Sequence, residues 1–182
     1  MQQYDDSPQG VLGFWRDAGP QRWFTKDPEF DRVFGERWAD LHMAAARREL
    51  DAWAEDAEGI LALLILLDQY PRNTWRGTGH MFATDALALH FARLAVEKGL
   101  DQQIPEQLRM FCYLPFEHSE SIDDQYTSVR LMQPLGGMWH EYAVVHQRVI
   151  EQFGRFPHRN QALGRISSSE ELAFLAEGGF SG

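Results

Sequence analysis

Apolar positions recur at helical spacing along most of the chain, but residues 60–67 are apolar without interruption. A segment apolar on every side has to be covered on every side, so this run predicts a central helix. Asp68, Gln69, Tyr70, Pro71, Arg72 and Asn73 follow at once and carry polar groups into, or to the edge of, the interior. Asp68 and Arg72 stand four apart, close enough to pair on one helix face. A carboxylate taken inside needs such a partner, or it takes up a proton. Pro71 is expected to end or kink the helix and to turn Tyr70 toward an extended conformation.

The remaining pattern is helical as well. Residues 7–18 read as a first helix with Ser7 as cap, Pro8 in the first position and Gly19-Pro20 as the stop. Residues 21–26 read as a loop pinned by Trp23 and Phe24. Asp27, Pro28 and Glu29 open a second helix, which Phe30, Val33, Phe34, Trp38 and Leu41 extend to about Leu50. After a short polar stretch at 51–58 and the central run, a helix is expected over 80–98, with Phe82, Ala86, Leu89 and Val96 on one stripe. Pro105 opens another through Tyr113, interrupted near Pro115, and a further pattern runs from 121 to 132. Trp139, Tyr142, Val145, Val149 and Phe153 mark a helix ending at Gly154, and residues 155–166 read as a polar loop. Ser168-x-x-Glu171 is a capping-box pattern. The spacing therefore predicts one all-α domain of seven or eight helices over residues 1–182, with no strand and no phosphate-binding loop.

Composition narrows the class. A net charge of −10 argues against nucleic acid and against an anionic membrane surface as partners. The apolar run is far shorter than the ~20 residues a membrane span requires. The single cysteine, Cys112, sits in an apolar run, excludes an internal disulfide and fits a reducing compartment. The start M-Q-Q-Y-D-D-S-P has neither the basic region nor the apolar core of a leader, so a soluble, cytoplasmic protein is expected. Apolar helix faces in a chain with 6 tryptophans would suit a homodimer.

Three polar clusters hold the candidate chemistry. The first is the stretch from Asp68 to Asn73. The second places Glu117, His118, Glu120, Asp123 and Asp124 directly after an apolar run; its Glu117, His118 and Glu120 are an alternative divalent-metal set, completed by His146 or His158. No cofactor is otherwise expected. The third gathers Arg155, His158, Arg159, Asn160 and Arg165, cations and amides suited to a carboxylate or phosphate. Internal pairing of those arginines with Asp68, Glu117 or Glu120 is the competing reading, and an ordered network also preorganises arginines for a ligand.

The motifs L-L-D-Q-Y-P-R-N, R-G-T-G, F-A-T-D-A-L-A-L, F-C-Y-L-P-F-E-H-S-E-S and F-G-R-F-P-H-R-N-Q-A-L-G-R-I-S-S-S-E-E-L, with W-F-T-K-D-P-E-F-D upstream, resemble the bacterial family called domain of unknown function 924 from about residue 11 to 175. The resemblance implies a helical fold similar to the tetratricopeptide-like αα-superhelix class, and no established activity. By matching position its polar motif residues fall on Asp68, Gln69, Arg72, Asn73, Asp85, Glu117, His118, Glu120, Gln125, Arg155, His158, Arg159 and Asn160.

The leading expectation is a polar pocket for a small anionic molecule or an acidic peptide group. Asp68, Gln69, Arg72, Asn73, Arg155, Arg159 and Asn160 would bind the ligand, with Glu117, His118 and His158 as the candidates for proton transfer. A metal-assisted hydrolase built on Glu117, His118 and Glu120, and a protein-interaction module with structural polar motifs, are the alternatives.

Overall fold

A computed structural model describes residues 4–182 of the chain. Residues 1–3, on which the expectation of no leader partly rests, lie outside the described residues. Ser7 opens α1 (Pro8–Ala18), its Oγ accepting the Gly10 N–H at 3.1 Å. The segment expected as an aromatic-pinned loop contains a short helix, α2 (Pro20–Trp23). Trp23 stacks on Trp15 and donates its indole N–H to the Trp15 carbonyl at 2.7 Å, which holds the segment in place. Asp27 caps α3 (Pro28–Ala46) by accepting from the Glu29 and Phe30 amides, both at 3.1 Å. That helix ends before Leu50, because residues 47–50 form a turn in which Arg48 takes φ 65°.

Asp56 caps the central helix, α4 (Ala57–Leu64), and a π turn (Ile65–Gln69) carries it without a break into α5 (Tyr70–Thr74). Residues 60–67 are each at most 1% exposed, as their uniform apolarity demands. Pro71 does not end the helix, and Tyr70 is helical at φ −52°, ψ −52° rather than extended. In a regular α-helix Pro71 would lack the N–H for Leu67 O and press its ring against that carbonyl. Widening the ladder, seen in the Tyr70 N–H bonding Ile65 O, makes room. The widening also frees carbonyls that need other donors. His42 Nδ1 bonds Leu66 O at 2.8 Å, Thr84 Oγ1 bonds Leu67 O at 2.5 Å, and Arg72 Nη1 bonds Asp68 O at 2.9 Å.

A 3-10 turn (Gly79–Phe82) precedes α6 (Asp85–Glu97), so Phe82 lies outside the helical stripe it was expected to join. The helix α7 (Glu106–Glu117) passes through Pro115 instead of stopping there; only Phe116 and Glu117 follow, so the proline disturbs no more than the last turn. The chain continues through α8 (Ile122–Met132), α9 (Gly137–Phe153) and α10 (Ser169–Ala176), the last with both bonds of the Ser168–Glu171 capping box. Counting residues 57–74 as one helix, the described residues form nine α-helices and no strand, so the fold is all-α. The helix missing from the expected seven or eight is α2. No helix among the described residues is long and apolar enough to cross a membrane.

Packing is organised around residues 57–74. Helices α1, α6 and α7 lie against α4, α3 lies against α5, and α7, α8 and α9 pack each on the next. Phe14, Trp15, Phe30, Phe34 and Trp38 form an aromatic cluster on the α1–α3 side. A smaller apolar group built on Val149, Ile150 and Phe156 holds α9 to the C-terminal segment.

The entry to α4 is tight at one point: a β-carbon on Gly59 would stand 2.0 Å from the Trp53 carbonyl oxygen. Gly59→Ala is therefore expected to destabilise the protein by about 1–3 kcal/mol, the range for overpacking, read as a lower denaturant midpoint. An unchanged midpoint would show that the 51–55 turn shifts without cost.

Candidate functional site

Because α4 is buried on all sides, the residues just beyond it are delivered to the interior, and the π turn aims Asp68 toward the end of α7. Asp68 is 1% exposed. Its Oδ1 lies 2.7 Å from His118 Nδ1 and 3.0 Å from Arg72 Nη1, and its Oδ2 accepts from Gln69 Nε2 at 2.6 Å. Arg72 makes a second, two-pronged contact with Asp85 at the start of α6, at 2.8 and 3.0 Å. Arg159, in the turn Pro157–Arg159, donates Nη1 to His118 O at 3.0 Å and stands 3.5 Å from Asp85 Oδ2. Its guanidinium lies between Phe82, at 4.7 Å, and Phe156, at 4.3 Å. Gln125, fully buried, fixes the end of α7 by donating to Glu117 O at 2.7 Å and Ser119 O at 2.6 Å.

These groups back a cavity of about 730 Å³, within the size range of small-molecule sites. Gln69, Arg72, Asn73, Glu117, His118, His146, His158 and Arg159 supply its polar wall. Phe82, Leu114, Trp139, Tyr142 and Phe180 supply much of its apolar wall. Lys26 and Arg76 add positive charge, and Glu117 is the one carboxyl side chain among the described lining residues. In a chain of net charge −10 this concentration of cations is local to the cavity.

The protonation states follow from burial and neighbours. Burial alone would raise the Asp68 carboxyl, but the Arg72 charge and His118 outweigh it and hold it at about 2. Burial, then the Arg72 charge, lowers His118 against the pull of Asp68, so the ring is neutral near pH 7 with its proton on Nδ1, facing the carboxylate. Burial, with the Asp68 charge, pushes Glu117 up to about 8. His146 is driven down to about 3 by burial, and His158 to about 4 by burial and Arg159. The 3.2 Å approach of His146 Nδ1 to Glu117 Oε1 is thus a contact between two neutral groups and not an ion pair. Arg159 falls to about 10, because burial and Arg72 both oppose its charge.

The structure brings together Asp68, Gln69, Arg72, Glu117, His118, His158 and Arg159. Asn73 reaches the cavity wall while donating to Asp31 Oδ1 at 2.7 Å. Arg155 and Asn160 are not ligand-facing: both bind the Glu171 carboxylate, Arg155 at 2.6 and 2.8 Å and Asn160 at 3.2 Å, and so anchor α10. Glu120 likewise turns away from Glu117 and His118, because Arg165 and the Phe156 amide take its oxygens. Among the described residues no three His, Cys, Asp or Glu side chains converge as a metal site, so Glu117, His118 and Glu120 are not one set. The residues least visible in advance are aromatic. Tyr142 and Trp139 were read only as part of a helical stripe, and nothing in the sequence signals that Phe180 closes on His146, with ring centroids 4.3 Å apart.

Glu117 makes stability depend on pH. With its folded value raised to about 8, the folded state holds more protons than the unfolded state above the ordinary carboxyl range, so stability falls as pH rises toward 8. Glu117→Gln is expected to melt near the wild-type temperature at pH 4.5 and several degrees higher at pH 8. Melting curves across that interval check this; parallel curves for the two proteins would contradict it.

A solved structure of a protein of unknown function from Agrobacterium tumefaciens is similar to this chain at 52% identity and a TM-score of 0.92, covering 93% of this chain and 97% of that one. Comparison with curated proteins finds no match. Residues 11–179 match the model of the family described as bacterial protein of unknown function (DUF924), and the chain belongs to that family.

Proposed function

We propose that the cavity binds a small anionic molecule, with Arg159 as the principal contact for its carboxylate or phosphate and Arg72 beside it. The observation that carries this reading is the state of Arg159. It lines the cavity at 6% exposure, its hydrogen bond to a described residue is the one from Nη1 to His118 O, and its nearest carboxylate oxygen is 3.5 Å away. A guanidinium left this far short of its five donors is under-neutralised, and an anion in the cavity would complete it. Arg72 is already fixed by Asp68 and Asp85, so it contributes charge from a rigid position. Aromatic walls on the other side suit a ligand with an apolar body. His118, oriented by Asp68, is the group placed to exchange a proton with it.

The succession α6 to α9, in which each helix packs on the next, supports the tetratricopeptide-like αα-superhelix reading of the scaffold. In that reading the polar centre lies where the central helix meets the end of α7.

Titration calorimetry with a panel of small carboxylates and inorganic phosphate tests the proposal. At least one is expected to bind, and Arg159→Ala, folded by circular dichroism, should lose about thirtyfold or more in affinity, the effect of removing a buried charged hydrogen-bond donor. Arg155→Ala should leave the affinity unchanged, because Arg155 serves Glu171. A folded Arg159→Ala protein with wild-type affinity would overturn the reading.

A further inference from the structure

Two proton-bearing side chains that are neighbours in sequence, Glu117 and His118, face the same cavity from the end of α7 and are prepared in opposite ways. His118 commits Nδ1 to Asp68 at 2.7 Å, which leaves the Nε2 lone pair without a partner among the described residues. Glu117 is only 4% exposed, and its Oε2 has no hydrogen-bond partner. The Nδ1 proton of His146, next to Glu117 Oε1, already goes to Tyr142 O at 2.8 Å. The Glu117 carboxyl therefore keeps its own proton.

We propose that the site is catalytic: His118 Nε2 removes a proton from the carbon beside a substrate carbonyl while the Glu117 carboxyl protonates that carbonyl's oxygen, interconverting the keto and enol forms of a 2-oxo acid. This deepens the anion-pocket reading and rests on it, with the substrate carboxylate on Arg159. A 2-oxo acid places its carbonyl one bond from that carboxylate, and its acidic C–H one bond further. Phe82, Leu114, Trp139 and Phe180 would face an aromatic or alkyl side group. In the forward step the C–H electron pair becomes the carbon–carbon double bond, and the carbonyl π pair takes the Glu117 proton. His118 is left as imidazolium and Glu117 as carboxylate; reversal restores both, and after the enol leaves His118 gives its proton to water while Glu117 takes one up from water, so no other reactant is consumed.

The electrostatics supply the required starting states. Burial and Asp68 hold Glu117 protonated up to about pH 8, while burial and Arg72 keep His118 unprotonated near neutrality. Glu117 is faced by His146 from α9 and by the charge of Asp68 from the π turn. His118 is faced by Asp68, by Arg72 from α5, by Asp85 from α6 and by His146. Arg159 and His158 bear on the same cavity from the 157–159 turn. The imidazolium formed in the step is stabilised by the Asp68 carboxylate that already accepts its Nδ1 proton.

Phenylpyruvate is a direct probe, since it joins a carboxylate, a carbonyl, an acidic benzylic C–H and an aromatic ring. Proton NMR in D2O follows loss of its benzylic protons. Wild-type protein is expected to speed this exchange by about a thousandfold or more over buffer, with acid and base acting together, and the rate should fall above about pH 8 as Glu117 ionises. His118→Asn retains an N–H for Asp68 but has no Nε2 base, and Glu117→Gln cannot release a proton. Each should lose about a hundredfold of the acceleration, typical of removing a general acid or base, while still binding phenylpyruvate by calorimetry. Whatever rate remains in Glu117→Gln should lack the fall above pH 8. Exchange no faster than in buffer, or wild-type rates in both variants, would overturn the proposal. Phenylpyruvate bound without exchange would overturn the catalytic step and leave the anion pocket standing, whereas no binding of any carboxylate or phosphate would remove both.

Discussion

The Asp68 carboxylate, held inside the protein by a turn of π-helix, is the interaction on which the rest of the site depends. A carboxylate 1% exposed is tolerated only because Arg72, His118 and Gln69 all reach it. Those partners come from different parts of the chain, so satisfying one charge ties the central helix to the end of α7. Arg72 then carries the link to Asp85 at the start of α6, and Arg159 joins through His118 O and the edge of Asp85. The π turn is what makes this geometry available. It accommodates Pro71, and three successive carbonyls along it, those of Leu66, Leu67 and Asp68, accept from His42, Thr84 and Arg72. Removing the turn would unseat both the proline and the charge.

From this network the cavity takes its character. Asp68 and Asp85 lie behind the wall and balance Arg72 and part of Arg159, while the three imidazoles and Glu117 are kept neutral by burial. What remains facing the cavity is positive charge together with groups that can give or take a proton. Low exposure has two effects here: it makes each unpaired group costly and strengthens the electrostatic pull on any ligand that pairs it.

Much of this arrangement is legible in the chain. Residues 60–67 announce a helix covered on all sides, and the caps at Ser7, Asp27 and Ser168 sit where side-chain oxygens can reach free amides. Asp68, Arg72 and His118 stand out because charged groups directly follow apolar runs, and Arg159 because cations gather in one loop of an acidic chain. Local rules mislead where tertiary packing overrides them. Pro71 and Pro115 both read as helix ends, yet a widened ladder absorbs the first and the second falls too near the end of α7 to stop it. Arg155, Asn160 and Glu120 share loops with true cavity residues, but which way a loop side chain points depends on Glu171 and Arg165, partners far off in sequence. Phe180 closes the wall through contacts with His146 and His158 that no spacing rule encodes.

Asp68 fixes the proton of His118 on Nδ1 and leaves Nε2 unprotonated toward the cavity. Long-range proton–nitrogen NMR of the histidine rings tests it most directly. At pH 7 the His118 ring is expected to show a protonated Nδ1 and a lone-pair Nε2, and Asp68→Asn is expected to disturb this pattern. A doubly protonated ring, or a proton on Nε2 with Nδ1 bare, would contradict it.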